Sequence, residues 1–116
     1  MTDKNKNNIV LYQSPDGSAS LDVHLDHETV WLTQKQMAEL FQRERSVITK
    51  HLRNVFAEGE LDDKNNVQNM HFAFSDKPVT MYNLDVIISV GYRAKSQQGT
   101  RFRQWATQVF REARGI

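Results

Sequence analysis

Short apolar runs recur over the first third of the chain, and in one of them, residues 21–25, apolar and polar residues alternate as in a strand with one buried face. Two turn-forming segments with Pro, Gly, Asp or His separate three such runs, at residues 9–12, 21–25 and 29–32. The residues before them, 1–8, are polar and are predicted to form a flexible tail. The pattern therefore predicts an N-terminal β-meander of three strands.

From Thr33 onward the apolar spacing changes to that of helices. Thr33 and Gln36 form the sequence pattern of a capping box, which predicts a helix start. Apolar residues lie on one side of this helix (Met37, Leu40, Phe41) and, after a polar interruption, on one side of a second helix (Ile48, Leu52, Val55, Phe56). Gly59 is placed to end the second helix. Two short helices with a tight turn predict a helix-turn-helix at about residues 33–58.

The remainder of the chain predicts two strands and two further helices. Residues 60–69 are acidic and amide-rich and are predicted to be a loop. Residues 70–74 and 79–82 flank a Ser-Asp-Lys-Pro turn, which favours a β-hairpin and so a winged helix-turn-helix. Asn83 is the expected N-cap of a helix with apolar residues at helical spacing, and a last helix follows the polar break at residues 96–100. The predicted fold class is α+β.

Length and composition limit the class of protein. At 116 residues the chain is expected to form one domain, residues 9–116, and its 39% hydrophobic and 25% charged residues are ordinary for a globular protein. The absence of cysteine excludes disulfides, thiolate catalysis and cysteine-ligated zinc. No apolar run approaches the roughly 20 residues of a membrane span, and the N-terminus lacks the apolar stretch of a signal peptide. We therefore expect a cytoplasmic protein that does not engage a membrane.

The net charge is only +1, but the basic residues are concentrated in two segments, which we call the basic islands. Residues 43–53 hold four basic residues and one acid, and residues 93–116 hold six basic residues and one acid. The rest of the chain is acidic: residues 1–42 hold three basic and six acidic residues, and residues 54–92 hold two and six. This distribution favours one cationic face that meets phosphate, although dispersed surface charge would produce the same counts.

The second predicted helix carries a polar stripe opposite its apolar side, and this stripe suits the DNA major groove. The predicted DNA contacts are Gln34, Arg45, Ser46, Thr49, Lys50 and Arg53, with Arg101 and Arg103 of the last helix in support. About five cationic contacts would give a log–log salt dependence with a slope of roughly −4 to −5. Two residues depart from the usual motif, since Gln42 stands where glycine is common in the turn and Arg43 where an apolar residue usually points inward.

These observations favour sequence-specific binding of double-stranded DNA, by a transcriptional regulator or a recognition module. The alternative is a protein-interaction module of the antirepressor type, whose basic islands dock an acidic protein partner. A homodimer is expected in addition, because one recognition helix reads few base pairs. The sequence gives no support for an enzyme, a cofactor or a metal site, since its four histidines match no zinc-ligand spacing and its glycines form no phosphate loop. Trp31 and Trp105 are expected in the core rather than stacked on bases.

Two separated motifs resemble a known family. The first comprises residues 31–41 (Trp-Leu-Thr-Gln-Lys-Gln-Met-Ala-Glu-Leu-Phe), Ile48, residues 51–56 (His-Leu-Arg-Asn-Val-Phe) and residues 58–61 (Glu-Gly-Glu-Leu). The second comprises residues 82–93 (Tyr-Asn-Leu-Asp-Val-Ile-Ile-Ser-Val-Gly-Tyr-Arg), Ser96, Gly99, Thr100, Phe102, Arg103 and residues 105–107. Together they resemble the N-terminal part of the bacterial virulence protein RhuM family, over about residues 9–110. The Arg-Phe-Arg-x-Trp stretch in the second motif is also similar to the end of phage antirepressor modules of the Bro-N type.

The resemblance implies a bacterial protein of a mobile element or pathogenicity island, with a DNA-binding-like module and no assigned reaction. Because members of that family usually continue into a further helical region, it also implies that this chain corresponds to their N-terminal part.

Overall fold

The computed structural model describes residues 8–26, 28–72 and 76–113. Its strands and helices are, in chain order, β1 (Ile9–Gln13), β2 (Ser20–Asp26), β3 (Thr29–Leu32), α1 (Gln34–Phe41), α2 (Arg45–Ala57), α3 (Asp63–Asn66), β4 (Val67–Met70), β5 (Val79–Asn83), α4 (Leu84–Arg93) and α5 (Gln98–Ala113). The predicted α+β class and the N-terminal meander are confirmed. The predicted tail lies outside the described residues except for Asn8, whose carbonyl accepts a hydrogen bond from the backbone N–H of Leu25 at 2.6 Å.

The strands form one antiparallel sheet in the order β1-β2-β3-β5-β4. The helix pair α1–α2 is inserted between β3 and the β4–β5 hairpin, and the hairpin returns to pair with β3 through Trp31–Asn83 and Leu32–Tyr82. A strand, two helices and a returning hairpin in this sheet order form a winged helix-turn-helix. The meander therefore extends the three-stranded sheet of that motif by two strands, β1 and β2.

The segment at residues 60–69, predicted to be a loop, instead forms α3 and most of β4. Asp62 caps α3, since its carboxylate accepts from the backbone N–H of Asn65 at 2.9 Å. In β4 the exposed Asn69 accepts a hydrogen bond from the hydroxyl of Thr80 across the hairpin at 2.9 Å. An edge strand tolerates amide side chains because water reaches them, so a polar composition did not exclude a strand here.

The predicted hairpin is confirmed, but its first strand is shifted toward the N-terminus. β4 ends at Met70, and residues 71 and 72 are not in a strand. Phe72 lies beyond the end of β4 and packs edge-on against the ring of His24 in β2, with 5.7 Å between the ring centroids. Residues 73 and 74, the end of the predicted strand, lie outside the described residues.

The predicted ends of the helix pair are formed by local hydrogen bonds. Thr33 Oγ1 accepts from the backbone N–H of Gln36 at 3.1 Å, and Gln36 Oε1 accepts from the backbone N–H of Thr33 at 2.9 Å. This is the predicted capping box. At the end of α2, Gly59 has φ of 74°, and the N–H of Glu60 donates to the carbonyl of Val55 at 3.1 Å. A glycine in this left-handed conformation completes a Schellman motif.

The last helix begins earlier than predicted, because α5 includes Gln98, Gly99 and Thr100. Lys95 adopts a left-handed φ of 56° and ends α4, so the chain reverses before the predicted polar break begins. The backbone N–H of Ser96 then donates to the carbonyl of Gly91 at 3.0 Å. The polar break is therefore shorter than residues 96–100.

Replacing Lys95 with glycine is expected to raise the free energy of unfolding by roughly 1 kcal/mol, because a Cβ atom in the left-handed region costs about that much. The melting temperature would rise by about 3–5 °C for a domain of this size. Lys95→Ala is the matched control, since it removes the charge and the side chain but keeps the Cβ atom. Equal melting temperatures for the two variants, measured by circular dichroism, would contradict the explanation.

The main core lies between one face of the sheet and the helices. Its buried members are Tyr12, Leu21, Val23, Val30, Leu32, Met37, Leu40, Phe41, Ile48, Leu52, Val86, Ile87, Val90, Phe102 and Ala106. At its centre α4 and α5 approach each other closely, and Phe41 at the end of α1 packs against the crossing. A Cβ atom on Gly91 would lie 2.9 Å from two ring carbons of Phe41 and 3.4 Å from the Cα atom of Gly99. Glycine at position 91 is therefore required for this packing.

Candidate nucleic-acid interface

Helix α2 separates an apolar side from a cationic side. Ile48, Leu52 and Val55 are buried against the core. The exposed side carries Arg45, Ser46, Lys50 and Arg53, which we call the α2 stripe. Within the described ranges, no side chain of the stripe makes a hydrogen bond or an ion pair. Three cationic groups and one hydroxyl are therefore exposed on the same side of α2 and have no hydrogen-bond or ion-pair partner in the described part of the chain.

Two of the predicted contact residues, Gln34 and Thr49, are engaged inside the helix pair. Gln34 Nε2 donates to Thr49 Oγ1 and to the carbonyl of Arg45 at 3.4 Å, while Thr49 Oγ1 donates to that same carbonyl at 2.9 Å. Both N–H bonds of the Gln34 amide are thus directed at α2. These contacts fix the first turn of α1 against the first turn of α2. In this geometry Gln34 positions the α2 stripe and does not itself reach outward.

The turn between the helices contains a residue in the left-handed conformation, which favours glycine, but the residue at this position is Gln42. Gln42 has φ of 54°. Its side-chain amide donates to the carbonyl of Glu39 at 2.6 Å and to the carbonyl of Ser18 at 3.2 Å. These bonds offset part of the strain of about 1–2 kcal/mol expected for a side chain in this region. The turn therefore forms without glycine and is attached to the β1–β2 connection.

Arg43 belongs to the first basic island but is used within the fold. Its guanidinium donates to the carbonyls of Phe41 at 3.1 Å, Gln42 at 3.3 Å and Ala94 at 2.9 Å. The first two carbonyls lie at the end of α1 and the third at the end of α4. Arg43 therefore holds the turn of the helix pair against α4, which explains why an apolar residue is not needed at this position.

The other end of α2 is attached to α4 by ion pairs. Arg93 donates to Glu58 at 2.7 Å and to Glu60 at 2.9 Å, and the Ser89 hydroxyl donates to Glu60 at 2.6 Å. The hydrogen bond from Ser89, followed by that from Arg93, lowers the pKa of Glu60. Because the two glutamates are exposed, water screens both ion pairs and they contribute little to stability. They attach the end of α2 to α4.

His51 lies between the two attachments and is half-buried. Burial lowers its pKa, and the positive charges of Lys50, Arg93 and Arg43 lower it further. The lowered pKa favours the neutral form of His51 at physiological pH.

Arg101 and Arg103 are exposed on α5, a helix that packs mainly on α4. Burial raises the pKa of the Tyr12 hydroxyl in β1, and the nearby charge of Arg101 lowers it in part. Arg101 thus lies near β1, on a helix that also contacts α1 and β3.

The two tryptophans are placed in the protein interior. Trp31 is 2% exposed, and its indole N–H donates to the carbonyl of Asp26 at 3.0 Å. Trp105 is half-buried, with ring centroids 5.0 Å from Tyr12 and 5.5 Å from Phe102. The prediction that both pack in the protein interior is confirmed, with Trp31 buried and Trp105 partly buried against the core.

The described ranges contain no cluster of three or more histidine, aspartate or glutamate side chains arranged to hold a metal ion. Among the helices described, none combines the length and the apolar character needed to span a bilayer.

A sequence model of the Virulence protein RhuM family matches residues 61–114. This segment is just under half of the chain and comprises α3, the β4–β5 hairpin, α4 and α5. The match therefore supports the resemblance carried by the second motif, which contains Gly91 and Gly99. No curated protein and no solved structure matches the chain, and no match to the Bro-N type was found.

Proposed function

We propose that the chain is a DNA-binding module that uses α2 as its recognition helix. It would act as a transcriptional regulator, or as the DNA-recognition part of a virulence-associated protein of a bacterial mobile element. The observation that carries the proposal is the α2 stripe: Arg45, Ser46, Lys50 and Arg53 are exposed, unpaired within the described residues and opposite the buried side of the helix. A role on bacterial DNA also places the protein in the cytoplasm.

The chemistry of the stripe fits the major groove. Arg45, Lys50 and Arg53 supply cationic donors for phosphate oxygens and for the O6 and N7 acceptors of guanine, while Ser46 supplies a short donor for close approach. At the start of α2, the N-cap Glu44 makes no side-chain hydrogen bond to the helix. The first backbone N–H groups of the helix therefore remain available to an outside acceptor.

The helix pair supplies the rigidity that base recognition needs. Gln34 and Thr49 join the first turns of α1 and α2, Arg43 joins the turn to α4, and the Arg93 ion pairs join the far end of α2 to α4. The stripe is therefore held at both ends on a folded support. Rigid presentation of this kind lowers the entropy lost on binding.

Arg101 and Arg103 would form a second, separate contact with the phosphate backbone. The salt dependence of binding distinguishes contact by the α2 stripe alone from contact by the stripe together with Arg101 and Arg103. The three cations of the α2 stripe alone predict a log–log slope of roughly −3, whereas five cations predict roughly −4 to −5.

We further propose that the whole chain is related to the RhuM family, beyond the matched residues 61–114. The motif at residues 31–41 supports this, because it forms the start of the helix pair, and the helix pair is joined to the matched part by the β3–β5 pairing.

Binding of a random-sequence DNA duplex, measured by fluorescence anisotropy at several salt concentrations, tests the proposal. Lys50→Ala and Arg53→Ala should each weaken binding several-fold and reduce the steepness of the salt dependence by about one unit of slope. Both side chains are exposed, so circular dichroism should show an unchanged fold. Lys64→Ala is the matched control, because it removes an exposed lysine that belongs to α3 and not to the stripe.

The outcomes separate the two candidate functions. Equal losses for Lys64→Ala and Arg53→Ala would indicate non-specific attraction without a defined interface. If the wild-type protein fails to retain duplex even at low salt, the proposal is wrong, and the protein-interaction module of antirepressor type becomes the better interpretation. Specificity is then measured by selecting bound sequences from a random duplex library, with wild type and Arg53→Ala compared.

A further inference from the structure

Among the residues that the structure describes, strand β1 forms an edge of the sheet and carries exposed apolar side chains. The strand order places it at one end, paired on one side with β2. Ile9 is 49% exposed and Leu11 is 55% exposed, whereas Val10 is partly buried and Tyr12 belongs to the core. Tyr92 is the other large hydrophobic side chain exposed in the described part of the chain. The apolar exposure is thus concentrated on one strand.

This edge lacks the features by which proteins prevent strand addition. Its five residues, Ile-Val-Leu-Tyr-Gln, include no charge, proline or glycine, and its register with β2 runs without a bulge from Ile9 to Gln13. The opposite edge differs, because β4 is one residue shorter and carries two amide side chains, Gln68 and Asn69. An unprotected, regular edge is suited to pairing with another strand.

We propose that β1 pairs with β1 of a second copy of this chain, in antiparallel orientation about a two-fold axis at Leu11. This register places Leu11 opposite its own equivalent and Ile9 opposite Gln13, all on the helix-free face of the sheet. A strand without charges does not repel its own copy, whereas an edge that recognises a charged partner would carry the complementary charge. The self-complementary residue pattern therefore selects a second copy as the occupant.

The size of the contact limits its strength. Five residues from each strand bury less than the roughly 1,200–2,000 Å² of a standard interface, so the dimer is expected to dissociate in the micromolar range. Binding to two adjacent half-sites would strengthen it, since a two-fold axis presents two α2 stripes to a palindromic sequence. Only this last step rests on the proposed DNA-binding function.

Sedimentation velocity of the full chain over a concentration series, without DNA, tests the pairing. The wild-type protein should show a reversible monomer–dimer equilibrium. Leu11→Lys, which places two ammonium groups across the axis, should weaken dimerisation by at least about tenfold. Asn69→Lys introduces the same charge on the opposite edge strand and should leave the dimer unchanged.

Hydrogen exchange provides a second measurement that needs no variant. The outward-facing amides of β1 should become more protected as protein concentration rises, while those of β4 should not. A wild-type protein that remains monomeric at every concentration overturns the proposal and leaves the edge to a different partner. Loss of the dimer in Asn69→Lys but not in Leu11→Lys also overturns it. Retained salt-dependent duplex binding by Leu11→Lys distinguishes failure of the dimer from failure of the DNA-binding proposal.

Discussion

Replacing Phe41 with alanine should lower the free energy of unfolding by about 3–5 kcal/mol, the range found when a buried aromatic ring is deleted. Phe41 is 1% exposed and lies at the point where α1 ends and α4 crosses α5. Its removal leaves a cavity that the backbone around Gly91 and Gly99 cannot fill. Urea denaturation followed by circular dichroism measures the change; a loss below about 1 kcal/mol would show that the crossing is loosely packed.

The same crossing predicts an energetic coupling. Gly91→Ala places a methyl group 2.9 Å from the Phe41 ring and should cost about 1–3 kcal/mol in the wild-type background. With Phe41 already replaced by alanine, the methyl group enters the vacated space and the cost should be smaller. The double-mutant cycle measures this difference. Gly99→Ala is the control, because its Cβ atom would lie 3.7 Å or more from its neighbours and should be tolerated.

Asn83→Ala should lower the free energy of unfolding by about 2–4 kcal/mol, because one side chain performs two buried tasks. Asn83 Oδ1 accepts from the backbone N–H of Val86 at 3.2 Å and so caps α4. Its amide nitrogen donates to Asn66 Oδ1 at 2.9 Å, and Asn66 in turn donates to the carbonyl of Asp62 at 2.6 Å. Alanine removes the cap and leaves a buried acceptor without its donor.

Asn83→Ser separates the two tasks. The serine hydroxyl retains the N-cap but is too short to reach Asn66, so about 1 kcal/mol of the loss should be recovered. Thermal and urea unfolding of the three proteins give the comparison. If serine and alanine destabilise equally, the cap contributes little and the bond to Asn66 accounts for the whole effect.

Local signals made much of the fold predictable. The capping box of Thr33 and Gln36, the glycine after α2 and the N-cap at Asn83 each fix a helix end through bonds within a few residues. Strand β4 was not predictable from composition, because an edge strand can carry amides that resemble a loop. The early start of α5 was not predictable, because the left-handed residue that ends α4 is a lysine, a residue type that does not signal this conformation.

The candidate site was only partly predictable, since periodicity shows which face a residue occupies but not what it pairs with. It identified the exposed face of α2 that carries Lys50 and Arg53. It did not reveal that Gln34 bonds to Thr49, fifteen residues away, or that Arg43 bonds to Ala94, fifty-one residues away. These partners are brought together by the tertiary fold, and no spacing within one helix encodes them.

The boundary of the family match has a practical consequence for dissecting this protein. Residues 61–114 contain β5, α4 and α5 but not the elements against which they pack. A recombinant piece cut at those limits would lack the β3 partner of β5 and would present Ile87, Val90 and Phe102 to water. Such a piece is expected to aggregate or remain unfolded, so its inactivity would be uninformative and deletion mapping should retain everything from Asn8 onward.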